Sequence, residues 1–201
     1  MIEKTIEGIK YRFNEETLTA EVIQKNGYVG DIIIPETIVF NQVSYGVTSI
    51  GERAFSSCSS LTSIVIPDSV TSIRERAFSY CTSLTSIVIP DSVTSIEESA
   101  FEGCSSLTSI VIPDSVTSIE ESAFEGCSSV SSITFNGTKA QWNSIELGDN
   151  WNWSIAAQRV RCTDGRCGDM VGCLFEAIGR CAINRVKRLY ITLRSNITNY
   201  W

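Results

Sequence analysis

The sequence predicts a solenoid of stacked coils, mainly β or mixed α/β, right-handed and built on a parallel sheet. A β-hairpin cap is expected at its N-terminal end and a Trp-rich cap at its C-terminal end. Two observations carry this reading. From residue 61 to 129 one phrase occurs three times, first as LTSIVIPDSVTSIRERAFSYCTS and then twice as LTSIVIPDSVTSIEESAFEGCSS. Pro67, Pro90 and Pro113 are 23 residues apart, as are Cys58, Cys81, Cys104 and Cys127. A unit this short cannot bury its own apolar face, so a fixed period implies that neighbours stack into one continuous core.

Within the unit, Leu61, Ile64 and Ile66 are apolar and alternate with Ser63 and Val65, the period-two pattern of a strand over residues 63–66 with one face buried. Pro67 cannot donate to a ladder and ends that strand, and Asp68 and Ser69 supply turn-forming oxygens. Val70 and Ile73 return the chain to the core. After polar Arg74, Glu75 and Arg76, Ala77 and Phe78 are expected on a single helical or 3₁₀ turn, with Cys81 closing the coil. Stacking places equivalent residues about 4.8 Å apart. Buried columns then run through Leu61/Leu84/Leu107/Val130, Ile64/Ile87/Ile110/Ile133, Ile66/Ile89/Ile112/Phe135 and Phe55/Phe78/Phe101/Phe124. The outward sheet column is Val65, Val88, Val111 and Thr134, flanked by Ser63, Ser86, Ser109 and Ser132.

The period and the L-x-x-I-x-I form mark a leucine-rich solenoid. The order S-I-x-I-P-x-x-V-x-S-I-x-x-x-A-F-x-x-C-x-x-L resembles the BspA-like leucine-rich repeats over roughly residues 6 to 165. That resemblance implies a surface or secreted protein, some members being adhesins for host matrix proteins.

Four segments are expected: a hairpin cap over residues 1–30, the solenoid over 31–135, a closing cap over 136–165 and a basic, cysteine-containing appendage over 166–201. In the first, residues 9–13 and 18–22 alternate around polar Asn14, Glu15 and Glu16, as a hairpin does. In the second, residues 31–35 repeat the strand and proline, yet Pro35 to Ile50 spans 15 positions where Pro67 to Ile73 spans 6. The nine extra residues, with Phe40 and Tyr45, read as a protruding hairpin or loop, either packing under the cap or supplying a binding anchor. In the third, Trp142, Trp151 and Trp153 read as the lid of the core column rather than as a carbohydrate platform. In the appendage, Leu174, Ile178 and Cys181 have helical spacing, Arg185, Lys187 and Arg188 form a basic cluster, and residues 189–193 are strand-like.

Size and composition fit one elongated domain, since 201 residues with 43% hydrophobic content supply a continuous core. Residues 1–165 carry 10 basic and 21 acidic side chains, a net −11, and residues 166–201 carry 6 and 2, a net +4, which together make the −7 of the whole. An acidic body excludes a nucleic-acid face, which needs clustered Lys and Arg. The chain has no histidine, which removes Ser-His and Cys-His pairs, histidine proton shuttles and histidine metal ligands. No catalytic residue, cofactor or metal site is expected.

The start MIEKTIEGIKYRF has no apolar run of signal-peptide length, and no stretch of about 18 apolar residues follows. A cytoplasmic location, a signal trimmed away and export by another route stay open; the resemblance favours trimming or an incomplete gene start. The core cysteines read as small apolar groups, not as disulfides or ligands. Among Cys162, Cys167, Cys173 and Cys181 the spacing fits no common zinc pattern, and one disulfide would form only in an oxidising compartment. The columns Glu52/Glu75/Glu98/Glu121 and Asp68/Asp91/Asp114 read as a solvated face and a turn, although like charges about 5 Å apart repel by roughly 0.8 kcal/mol in water.

The function expected from these readings is a non-catalytic, monomeric binding module for a protein or glycoprotein, with the extracellular matrix as a candidate source. Its candidate contacts are Ser63, Val65, Ser86, Val88, Ser109, Val111, Thr134, Phe40 and Tyr45. The other reading is a structural spacer or an intracellular scaffold for protein partners.

Overall fold

Every coil crosses the same faces in the same order, so the fold is best followed along one repeat. The computed structural model describes residues 1–25, 27–157 and 159–169. Met1–Cys167 form one compact unit and Gly168–Trp201 a second. The helical spacing, basic cluster and strand expected beyond residue 170, with Cys173 and Cys181, lie outside the described residues.

The first face is laid down by β4 (Val29–Ile33), β7 (Ser60–Val65), β9 (Ser86–Ile87), β11 (Ser109–Ile112), β13 (Ser132–Phe135) and β15 (Arg159–Cys162). The pairings of β4 with β7, β7 with β9, β11 with β13 and β13 with β15 are parallel and match equivalent residues, as in Ser63 with Ser86 and Ile110 with Ile133. It is divided into sheets β4-β7-β9 and β11-β13-β15-β16, the last strand being β16 (Gly165–Asp169). The strand expected over residues 63–66 begins earlier in β7 and shrinks to two residues in β9.

A second parallel sheet, not foreseen, is formed by the Ser-Ile pairs where the chain was expected only to return to the core. β6 (Val43–Ile50), β8 (Ser72–Ile73), β10 (Ser95–Ile96), β12 (Ser118–Ile119) and β14 (Glu146–Leu147) pair in sequence. At the N-terminal end this sheet continues through β3 (Thr19–Val22), β2 (Ile9–Asn14) and β1 (Ile2–Ile6), the last two antiparallel to their neighbours. The expected hairpin over residues 9–22 is β2 with β3. The nine-residue insertion is a hairpin as well: β5 (Thr37–Phe40) pairs antiparallel with β6 across Asn41 and Gln42, both at positive φ (50° and 65°), the two-residue turn that matches strand twist.

The Ala-Phe segment corrects the expectation of a helical or 3₁₀ turn. Alternate amides close three-residue-back turns, as Ala77 to Arg74 and Ser79 to Arg76. The intervening ones donate to the next coil, as Arg76 to Glu98, Phe78 to Ala100 and Tyr80 to Glu102. A helix would spend all these amides within the segment, whereas this ribbon gives half of them to stacking. The geometry needs left-handed residues: Arg76 and Tyr80 have φ of 53° and 58°, and at the position of Tyr80 the later coils use Gly103 and Gly126 (69° and 72°). Among the described residues the α-helix is α1 (Lys139–Trp142), capped by Thr138 and Gln141.

Inside these three ladders the expected columns are all buried. Phe55, Phe78, Phe101 and Phe124 stack with centroids 5.1 to 5.2 Å apart and planes within 3°. Tyr28 packs on Phe55 at one end and Trp151 on Phe124 at the other. Removing the Phe101 ring leaves a cavity flanked by two rings that the backbone ladders hold apart. Phe101→Ala is expected to lower stability by about 3 to 5 kcal/mol in chemical denaturation, with the secondary structure retained in circular dichroism.

Candidate binding surface

Outward residues of the first face alternate with the buried Ile columns, which fixes which side chains it can offer. Val65 (55% exposed), Val88 (70%) and Val111 (39%) stand in one row, Thr134 is half-buried in the same row, and Ser86 and Ser109 are exposed beside it, with Ser63 half-buried. These seven of the nine candidate contacts are brought together. The row also begins one coil earlier than expected, because Ile33 pairs with Val65 and is 73% exposed. The proline-anchored match of residues 31–35 to the repeat carried that signal.

Phe40 and Tyr45 stand elsewhere. Phe40 stacks on Phe13 at 4.9 Å and Tyr45 meets the same ring edge-on at 4.8 Å. Tyr45 is buried and Phe40 half-buried, so their rings fill the N-terminal end of the core, and Val39 and Val43 are what the hairpin exposes. Of the tryptophans, Trp142 and Trp151 are buried and in edge contact, while Trp153 is exposed.

Two groups of charged side chains are tied to one another. On the turn ribbon Arg53 bridges Glu52 and Glu75, and Arg76 bridges Glu75 and Glu98, so the glutamate column is neutralised through its first coils. At the N-terminal end a shallow recess of about 390 Å³ holds the chain Lys10, Glu3, Arg12, Glu21 and Arg74. Lys10 and then Arg12 hold the Glu3 carboxyl below its usual range. Every one of these charges has an opposite neighbour, so the group forms one ion-pair network. Among the described residues no group of three or more Cys, Asp or Glu side chains is arranged to hold a metal, and no helix is long and apolar enough to cross a membrane.

The core thiols of Cys58, Cys81, Cys104 and Cys127 are unpaired and buried. Cys81, Cys104 and Cys127 donate to the carbonyls of Phe55, Phe78 and Phe101 at 3.1 to 3.2 Å. In the last strands Cys162 and Cys167 form a disulfide between β15 and β16.

Coils of fixed period with a parallel strand, a proline turn and inward Leu, Ile, Phe and Cys columns define a leucine-rich repeat protein. The chain belongs to the BspA-type leucine-rich repeat family, whose repeat region matches residues 31–146 in six copies. Among solved structures it is similar to a leucine-rich repeat protein from Bacteroides capillosus, at 27% identity and a TM-score of 0.59 over 67% of this chain and 99% of that one. The leucine-rich repeat protein of T. pallidum shares the fold at 24% identity and a TM-score of 0.53, over 74% and 82% of the two chains. So does the pneumococcal vaccine antigen PcpA, at 20% and 0.59, over 82% of this chain and 50% of that one. Among curated proteins none matches the sequence. The family fold suggests a protein-binding repeat module, and its members are typically non-catalytic.

Burial pushes the Cys81 thiol up to about 12 from an ordinary 9.0, and the neighbouring Cys127 thiol together with burial raises Cys104 as well. The folded state keeps protons that the unfolded chain releases. The stability carried by these thiols is therefore complete below about pH 9 and lost as pH rises toward about 12. Denaturant midpoints should fall through this window, and Cys81→Ala should flatten the fall; an unchanged slope would place the loss elsewhere.

Proposed function

We propose that this chain is a protein-binding module that works outside the cell, in the manner of an adhesin, and that it meets a protein or glycoprotein of the matrix through the first sheet face. The exposed row of Ile33, Val65, Val88 and Val111 carries the reading. A row of outward β-branched residues on a ladder that cannot slip offers flat apolar area at little cost in side-chain entropy, and solenoids present such surfaces to extended or convex partners. The bordering serines add hydroxyls without bulk. Location outside the cell is supported by the Cys162–Cys167 disulfide, since such bonds persist in oxidising compartments. No catalytic role is proposed.

Full-length protein and Val88→Asp are to be compared on immobilised extracellular-matrix proteins, with circular dichroism to verify that the variant is folded. Binding by the wild type and a loss of about tenfold or more in the variant are expected, because a carboxylate at the most exposed valine of the row would have to be desolvated at the interface. Absence of wild-type binding, or equal binding by the variant, removes the reading.

A further inference from the structure

The valine row does not end in Thr134. β15 joins β13 in parallel with Ile133 opposite Val160 and Thr134 opposite Arg161. Val160 is buried like Ile133, so the alternation of the strand turns Arg159 and Arg161 outward, and both are exposed. One outward row of side chains therefore reads Ile33, Val65, Val88, Val111, Thr134, Arg161, apolar for four coils and cationic at its end. On β16 Arg166 is exposed next to buried Cys167, and the disulfide ties that strand to β15. At the opposite end Asp31 accepts hydrogen bonds from Ser63 and Thr62 at 2.6 and 2.8 Å, which hold its carboxyl below the usual range. The face is thus charged in opposite senses at its two ends, on a body that is otherwise acidic.

We propose that this face takes an extended polypeptide segment laid across the strands, with apolar side chains on the valine row and a carboxylate-rich end on Arg159 and Arg161. The inference rests on the sheet-face reading above. Five strand spacings of about 4.8 Å give a row of roughly 24 Å, the length of about seven extended residues. Guanidinium groups recognise carboxylates through paired hydrogen bonds and are enriched among binding hot spots, supplying the anchor that valine and serine lack. A sulfated glycan would satisfy the arginines but would set its hydroxyls and sulfates against four aliphatic side chains. An acidic peptide with apolar residues satisfies both parts of the row.

The test is panning of a random peptide library displayed on phage against the immobilised full chain, against Val88→Asp and against Arg159→Ser/Arg161→Ser. Arg161→Ser alone serves if the double variant fails to fold by circular dichroism. The wild type should enrich peptides in which spaced apolar residues adjoin a run of Asp and Glu. Recovery of those clones should fall about tenfold on either variant and weaken as sodium chloride is raised. Loss on Val88→Asp with full recovery on the arginine variants overturns the acidic-end assignment and leaves the face reading in place. Full recovery on Val88→Asp removes the face reading and this inference with it. Enrichment of peptides without acidic residues, no enrichment, or retention of the wild type on heparin in place of any peptide overturns the inference.

Discussion

Stacking of one coil on the next is the constraint from which the rest of this structure follows. A coil of 23 residues cannot bury its apolar side chains or pair all its backbone groups alone, so the coils above and below must complete them. The chain meets the backbone demand on every side: parallel ladders form at the Leu-Thr-Ser-Ile segment and at the Ser-Ile segment, and the turn ribbon gives alternate amides to its neighbour. Serines reinforce the joints, with Ser92 and Ser115 donating to the carbonyls of Val70 and Val93 one coil back at 2.5 and 2.7 Å. Given this spacing, the phenylalanines have no choice but to stack at 5.1 to 5.2 Å, and Cys81, Cys104 and Cys127 each find the carbonyl of the phenylalanine one coil before.

Columns were legible in the sequence because they depend only on period, and every buried column expected from it is buried. What escaped sequence reading was backbone geometry that the repeat does not spell. The second sheet uses two residues per coil in β8, β10 and β12, fewer than a periodicity window can register. The turn ribbon was hidden by its occupants, since Arg76 and Tyr80 hold left-handed conformations without advertising them. Gly103 and Gly126, at the position of Tyr80, were the available signal: a Cβ on Gly103 would stand 2.7 Å from the Tyr80 ring, so that glycine answers both to φ and to its neighbour. Arg161 is hidden for another reason. It stands on a parallel strand outside the repeat phrase, which leaves no periodic trace.

Aromatic residues are spent inside the structure and not on the sheet face. In the insertion hairpin Phe40 and Tyr45 pack on Phe13. Trp142 and Trp151 pack beside Phe135 and Phe124. Phe55, Phe78, Phe101 and Phe124 fill the interior of the coils, and the outward row of the sheet face is left with isoleucine, valine, threonine and serine.

Repetition itself then limits recognition. Identical coils generate a face that is the same at each step, so a partner held only by Val65, Val88 and Val111 could shift by one coil with little change in contacts. Register on such a face has to be set where the repeat breaks. Asp31 at one end and Arg159 with Arg161 at the other are such places, charged in opposite senses and about 24 Å apart along the row by strand spacing. A shift by one coil would withdraw an acidic group from the guanidinium pair and set it against Ser132 and Thr134, at the cost of a charge-assisted hydrogen bond. On the binding mode proposed above, the same stacking that denies the middle of the sheet any distinguishing feature would leave orientation and register to its ends.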